Sequence, residues 1–346
     1  MQRFVNERCD LLDQKGHLTY PGYSTYEVWD YERADIRASS LRIKEWDYYY
    51  VGNEKFGVAL TIADNSYMGM ISASFLDFTD GFQQTKSKII PFTFGKLALP
   101  PSAEVGETSY KSNKIEMSFR VKEKERHLRC NYHDFWNGFP LILDVKLTDL
   151  PRDRMVIATP FAEKKTAFYF NQKINCMHAE GYVQMGERNY TLGTDKKDMG
   201  LLDWGRGVWT YKNTWYWSSL NTVLADGRKF GFNLGYGFGD TSAATENMLF
   251  IDGVADKLED VVFEIPKNEA GEYDYLAPWR VVSPDERVKL TFTPILNRAA
   301  KMSVLMLASD QNQVFGKFSG TVTLSSGEVI TLDGAVGFAE RVYNKW

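Results

Sequence analysis

Residues 200–220 read Gly-Leu-Leu-Asp-Trp-Gly-Arg-Gly-Val-Trp-Thr-Tyr-Lys-Asn-Thr-Trp-Tyr-Trp-Ser-Ser-Leu. The stretch holds Trp204, Trp209, Trp215 and Trp217, four of nine tryptophans, and sets Asp203 and Arg206 three residues apart among them. Burying both charges is costly unless they pair. Two readings stay open: a structural ion pair between Asp203 and Arg206, or a pocket that both face.

The stretch also belongs to an internal repeat. Gly181-Tyr-Val leads to Gly200-Leu-Leu-Asp203, and Gly320-Thr-Val leads to Gly337-Phe-Ala-Glu340, with Gly-to-Gly spacings of 19 and 17 (200−181 and 337−320). Each acid is followed by an arginine, Arg206 or Arg341. Upstream, Trp46-Asp-Tyr48 and Lys55-Phe-Gly-Val-Ala-Leu60 match Trp215-Tyr-Trp217 and Lys229-Phe-Gly-Phe-Asn-Leu234. Four matches in the same order indicate a duplication, which places Asp203 at the seam between two copies. The expected division is 1–212 and 213–346. Glu340, the counterpart of Asp203, is expected to close the second unit by pairing with Arg341 or Arg298.

The flanking chain reads as short strands. Leu41–Tyr50 and Phe56–Ile62 form a hairpin around Gly52-Asn53-Glu54. Lys114–Lys122, Arg126–Tyr132 and Leu141–Leu147 continue the pattern. After residue 212 come Trp215–Val223, a turn at Ala225-Asp226-Gly227-Arg228 expected to be type I′, and Phe230–Leu234. Only Asp252–Glu259 and Asn297–Met306 have helix-compatible spacing, and a strand fits the second as well. The fold class expected is all-β, as two tandem lipocalin-like, calycin-type antiparallel barrels. Closure would remove exposed edges, and eight-stranded barrels have room for one small ligand.

At 346 residues, 44% hydrophobic and 25% charged, the chain is globular. A net charge of −4 with no basic run argues against nucleic acid as a partner. No stretch has the 18 or so apolar residues of a membrane helix. Met-Gln-Arg-Phe-Val-Asn-Glu-Arg-Cys-Asp lacks the apolar core of a signal peptide, so a cytoplasmic location is expected. Cys9, Cys130 and Cys176 form no disulfide framework, and His17, His127, His133 and His178 are too dispersed for a metal site. Gly235-Tyr-Gly-Phe-Gly239 lacks phosphate-loop spacing, and no cofactor is expected.

Aromatic clusters with a few polar groups suit a core or an apolar cavity. Trp204, Trp209, Tyr211, Trp215, Trp217, Asn233 and Asn247 are the candidates to contact a ligand. For chemistry, Asp203 is the candidate acid and Arg206 its orienter or an oxyanion partner, with Glu246 and Asn247 in reserve. Asp240, Glu246 and Asn247 flank a loop, where a turn role competes.

The run Leu202-Asp-Trp-Gly-Arg-Gly-Val-Trp209 resembles the bacterial domain-of-unknown-function family 2804. So do Trp215-Tyr-Trp217, Phe232-Asn-Leu-Gly235, Thr245-Glu-Asn247, Gln313-Val-Phe-Gly316 and Gly337-Phe-Ala-Glu340. The likeness spans nearly the whole chain and implies no activity. Asp-Trp-Gly, then Trp-x-Trp and a strand–Asp-Gly–strand unit, is more distantly similar to carotenoid 1,2-hydratases and AttH-like proteins. That similarity implies two lipocalin-like barrels with a ligand cavity in or between them. Arg206 and the lack of a histidine beside Asp203 depart from the hydratases, so carotenoid hydration is not carried over.

The resulting expectations are three. The chain carries an apolar small molecule such as a lipid or isoprenoid, or acts on one as a hydratase, isomerase or cyclase, or its second barrel only props up the first.

Overall fold

The computed structural model describes residues 2–304 and 307–345 of the chain. Strands dominate, and no α-helix occurs among the described residues. One sheet has 13 strands and another nine. The first passes from edge strand Phe82–Pro91 through Met68–Asp77, Phe56–Asp64 and Ile43–Gly52 to Met199–Val208. It continues through Lys164–Met185, Phe139–Thr148, Glu125–Trp136 and Ile115–Lys122 to Gly106–Lys111. The second runs Val254–Lys257, Met248–Ile251, Lys229–Tyr236, Lys212–Val223, Val329–Lys345, Leu307–Thr323, Val288–Val304, Trp279–Val282, Val262–Glu264.

The duplication is visible in the register. Ile43–Gly52 lies between Phe56–Asp64 and Met199–Val208, and Lys212–Val223 lies between Lys229–Tyr236 and Val329–Lys345. Asp203 is opposite Tyr48 and Glu340 is opposite Trp217, so the repeat-matched residues occupy matched positions. The fold is all-β, with two curled antiparallel sheets of lipocalin-like type. The first sheet's two edge strands do not pair with one another. Its edge Phe82–Pro91 carries Lys86, Lys88 and a terminal Pro91 instead, features that discourage edge pairing.

Two details differ from the sequence reading. Asp252–Glu259 contains the strand Val254–Lys257, because cross-strand pairing overrides weak helical spacing, while Asn297–Val304 lies within a strand, one of the two readings open for it; Leu305 and Met306 lie outside the described residues. The turn after Val223 is not type I′. Gly227 alone has positive φ (+90°), and its N–H donates to Leu224 O, which is a type I turn followed by a left-handed glycine. Residues 1–40, whose polar sequence with scattered aromatics reads as a short arm or lead-in strand, also contribute Trp29 and Tyr31 to the first sheet's core.

Each sheet curls around its own apolar core, and a third cluster joins their outer faces. It holds Tyr48, Leu76, Phe78, Leu201, Trp217, Leu296, Phe315 and Phe338. A β-bulge between Ile174 and Met177 ties the faces together. Asn175 Nδ2 donates to Ser219 Oγ (2.8 Å), Asn221 Oδ1 (3.0 Å) and Phe232 O (3.2 Å), all on the second sheet.

Candidate functional site

The strand Met199–Val208 is buried along its whole length. Side chains alternate between faces. Leu202, Trp204 and Val208 belong to the first sheet's core, while Leu201 packs with Trp217 and Phe338 of the second sheet. Asp203 therefore faces the second sheet, where a cavity of about 190 Å³ lies between the two sheets. Trp46, Tyr48, Tyr169, Lys173 and Asp203 line it from the first sheet. Trp215, Trp217, Arg298, Gln313, Glu340 and Asn344 line it from the second, and Phe238 and Glu246 from the segment after Tyr236.

The walls are aromatic. Trp46 stacks on Tyr169 (centroids 6.2 Å, 14°), and Trp209, Trp215 and Phe238 meet edge to face at 4.7–5.6 Å. Trp46 lies over Gly205, directly across the strands, where a Cβ would come within 1.9 Å of the indole. Opposite Trp217, Gly235 leaves room for Glu246, whose Oε1 lies 2.6 Å from where a Cβ would sit.

Into this apolar frame project three carboxyls. Asp203 pairs with Lys173 Nζ at 2.8 Å and accepts from Asn171 Nδ2 at 2.7 Å. Lys173 is only 4% exposed and sits 3.9 Å from the centre of the Trp217 ring, a cation–π contact. Glu340 accepts from the Trp215 indole N–H (3.0 Å) and from Gln313 Nε2 (2.9 Å). Glu246 accepts from Asn233 Nδ2 (3.2 Å), whose Oδ1 in turn takes the Trp217 indole N–H at 2.7 Å. Burial pushes the Glu340 carboxyl up to about 7, partly offset by the Trp215 hydrogen bond and Arg298. Burial raises Glu246 as well, against the pull of Lys173. Among the described residues, no three His, Cys, Asp or Glu side chains converge as metal ligands.

Asn344 adds an unpaired polar group. It is fully buried and lines the cavity, and neither Nδ2 nor Oδ1 has a hydrogen-bond partner among the described residues.

Several sequence candidates fall elsewhere. Asp203 and Arg206 do not pair. Three residues apart on a strand, they point to opposite faces. Arg206 donates to Asp47 Oδ1 (3.1 Å), Trp46 O (2.8 Å) and Pro100 O (2.7 Å), and its guanidinium lies 4.0 Å from the Trp204 ring centre. Trp204 packs on Tyr31 and Phe170 in the first core. Arg206 and Trp204 thus face the first core and do not line the cavity. Tyr211 is 36% exposed and lies beside Arg42 and Lys345. Asn247 holds backbone, accepting from Gly235 N (2.7 Å) and donating to Glu259 O (2.8 Å). Asn233 sits behind the wall and orients Trp217 and Glu246. Asp240 caps its own turn through Ser242 N. Glu340 lines the cavity and does not pair with Arg341, which binds Tyr216 and Tyr275 instead. Trp209, Trp215, Trp217 and Glu246 do line it.

Lys173, Gln313, Tyr169, Phe238 and Asn344 were not anticipated, and Arg298 was named only as a partner for Glu340. For Lys173 a signal existed: a lysine inside Phe168-Tyr-Phe-Asn-Gln-Lys-Ile-Asn-Cys-Met177 is a charge in an apolar strand.

These features define a double lipocalin-like β protein with a cavity between its two sheets. The chain belongs to the family described as Domain of unknown function (DUF2804), matched over residues 2–346. No curated protein matches it. In structure it is similar to CghA (TM-score 0.54, 12% identity, 98% of this chain and 97% of that one). It is also similar to a putative AttH from Nitrosomonas europaea (TM-score 0.50, 12% identity, 87% and 92%). Kievitone hydratase from Nectria haematococca aligns at TM-score 0.46 and 11% identity over 88% of both chains.

Proposed function

We propose that this chain binds a compact, uncharged, largely apolar molecule in the cavity between the sheets. The observation that carries the reading is Asn344, a fully buried amide at the wall of the aromatic cavity, with neither its donor nor its acceptor paired among the described residues. An unpaired buried amide is costly, and a ligand hydroxyl, carbonyl or amide removes that cost. The surrounding rings supply the apolar contact. At about 190 Å³ the cavity is smaller than the roughly 300–1,000 Å³ of drug-sized sites, which favours one or two fused rings or a short isoprenoid over a long acyl chain. The three cysteines are free, which suits a reducing, cytoplasmic setting.

The test is native against denaturing mass spectrometry of the protein purified from its own host. A mass lost on denaturation is expected, and Asn344→Leu should abolish its retention. A retained molecule indifferent to Asn344→Leu would sink the reading. A second reading is an enzyme of the hydratase, isomerase or cyclase kind. It is favoured by the carboxyls Asp203, Glu246 and Glu340, which face the same cavity with unlike partners.

A further inference from the structure

We infer that Asp203 and Glu340 form an acid–base pair that enolises a neutral carbonyl compound held between them. Asp203 takes the proton from carbon and Glu340 gives one to the carbonyl oxygen. The inference rests on the binding reading above and adds a reaction to it.

The two carboxyls occupy matched positions in the two copies and line one cavity. The residue directly across the next strand differentiates them. For Asp203 it is Lys173, an ammonium at 2.8 Å; for Glu340 it is Gln313, a neutral amide at 2.9 Å. Among the described residues Glu340 has no ion pair, and its other donor, the Trp215 indole, is also neutral. The second cavity cation, Arg298, donates to Ser74 Oγ (2.9 Å) and faces the Tyr48 ring. The Asp203 carboxylate is matched by Lys173 at 2.8 Å, and a protonated Glu340 adds no further charge, which suits an uncharged ligand. Tyr48 and Tyr169, also titratable and lining the cavity, are pushed up by burial and stay neutral. Burial holds Glu340 near 7, so at neutral pH a proton is available. Two carboxyls with unlike environments in one cavity form the arrangement from which acid and base roles follow.

The step closes without a co-reactant. The α C–H bond breaks and its proton goes to the Asp203 carboxylate. The C–H electron pair becomes the C=C bond of the enol. The carbonyl π pair forms an O–H bond with the proton of Glu340. Return of the proton from Asp203 to the same carbon restores the ketone; return to a vinylogous carbon gives an isomer. In both cases Glu340 recovers its proton from the enol oxygen.

The probe is 2-tetralone, a neutral bicyclic ketone with an acidic methylene. The full chain in D2O is followed by proton NMR for exchange at that methylene, and by tryptophan fluorescence for binding. Asp203→Asn and Glu340→Gln should bind the probe within about threefold of the native chain yet lose about a hundredfold or more of the exchange rate. Infrared spectra at pH 6 should show a protonated-carboxyl band that Glu340→Gln removes and Glu246→Gln leaves. Exchange indifferent to either variant, or a band that follows Glu246, overturns the pair and leaves the binding reading standing. No binding of 2-tetralone, with another molecule retained in mass spectrometry, overturns the substrate class. Neither binding nor a retained molecule overturns both readings. Gln313→Lys keeps Glu340 in place but sets an ammonium beside it. It should abolish band and exchange, which keeps the test decisive should Glu340→Gln not fold.

Discussion

Replacing Glu340 by glutamine should stabilise the chain at alkaline pH and leave it unchanged in acid. In the folded chain the Glu340 carboxyl sits in an apolar pocket that raises it from 4.5 to about 7. A carboxyl raised by folding binds its proton more tightly in the folded state than in the unfolded one. Its contribution is fully present below about 4.5 and is lost as pH rises through 7. The loss amounts to about 3 kcal/mol at pH 8, since each pH unit of the rise corresponds to about 1.4 kcal/mol. Glutamine stays neutral throughout. Its carbonyl can accept the Trp215 indole N–H as Glu340 does at 3.0 Å, and its amide can donate to Gln313 once that side chain flips. The assay is thermal or urea denaturation of both proteins at pH 5, 6, 7 and 8. The advantage of Glu340→Gln should grow from just under about 1 kcal/mol at pH 5 to about 3 kcal/mol at pH 8. That is about 4 °C in Tm for 346 residues unfolding together, at roughly 2.1 cal/mol/K of unfolding entropy per residue. A difference that does not change with pH, or that grows in acid, refutes the reasoning.

Lys173→Met leaves Asp203 buried with only Asn171 as partner. It should cost about 3–5 kcal/mol at neutral pH by urea denaturation, and a loss under about 1 kcal/mol would mean the pair is not buried in solution. Arg206→Met strands Asp47 in the first core and should cost a similar amount, yet the folded fraction should still bind 2-tetralone normally, because Arg206 faces away from the cavity. Gly205→Ala drives a methyl into the Trp46 ring, so it should cost about 1–3 kcal/mol and shift the near-ultraviolet circular dichroism of the cavity tryptophans. An unchanged spectrum would show that the Trp46–Tyr169 stack is not fixed. We also propose residues 1–212 and 213–346 as two domains. Co-expressed as separate chains they should co-purify through the apolar cluster around Tyr48, Trp217 and Phe338; two halves that purify apart would refute a tight junction between them.

The strands and the duplication were legible because each rests on local pattern. Trp46, Tyr48, Trp215 and Trp217 repeat with the strands that carry them, and their structural positions match. The pairing of Asp203 was not legible. Sequence proximity nominates Arg206, but strand alternation turns it to the other face, and the true partner lies 30 residues upstream (203−173) across a strand pair. The same blindness affected Glu340: Arg341, its neighbour in sequence, points away, whereas Gln313 and Trp215 come from adjoining strands. Asn344, two residues from the end of the chain, had no local signal at all.

The orientation of Lys173 depends on one irregularity. In Lys164–Met185, Phe168, Phe170 and Ile174 face the first core before the bulge, whereas Met177, Ala179, Val183 and Met185 face it afterwards. The side chains that point inward change from even to odd numbers at Asn175 and Cys176, as one extra residue in a strand requires. Extrapolated back from Met177 without the bulge, the alternation would bury Lys173 in the first core, with Asp203 left alone at the cavity. With it, Lys173 and Asn175 both face the second sheet, one to pair with Asp203 and the other to bind Ser219 and Phe232. Deleting Cys176 should therefore remove the ion pair and the inter-sheet bonds together. The loss should exceed that of Lys173→Met, since the register of one flank must slip and turn its apolar side chains outward. A deletion variant no less stable than Lys173→Met in urea would show that the strand can absorb the slip, and that the bulge does not set the charge of the cavity.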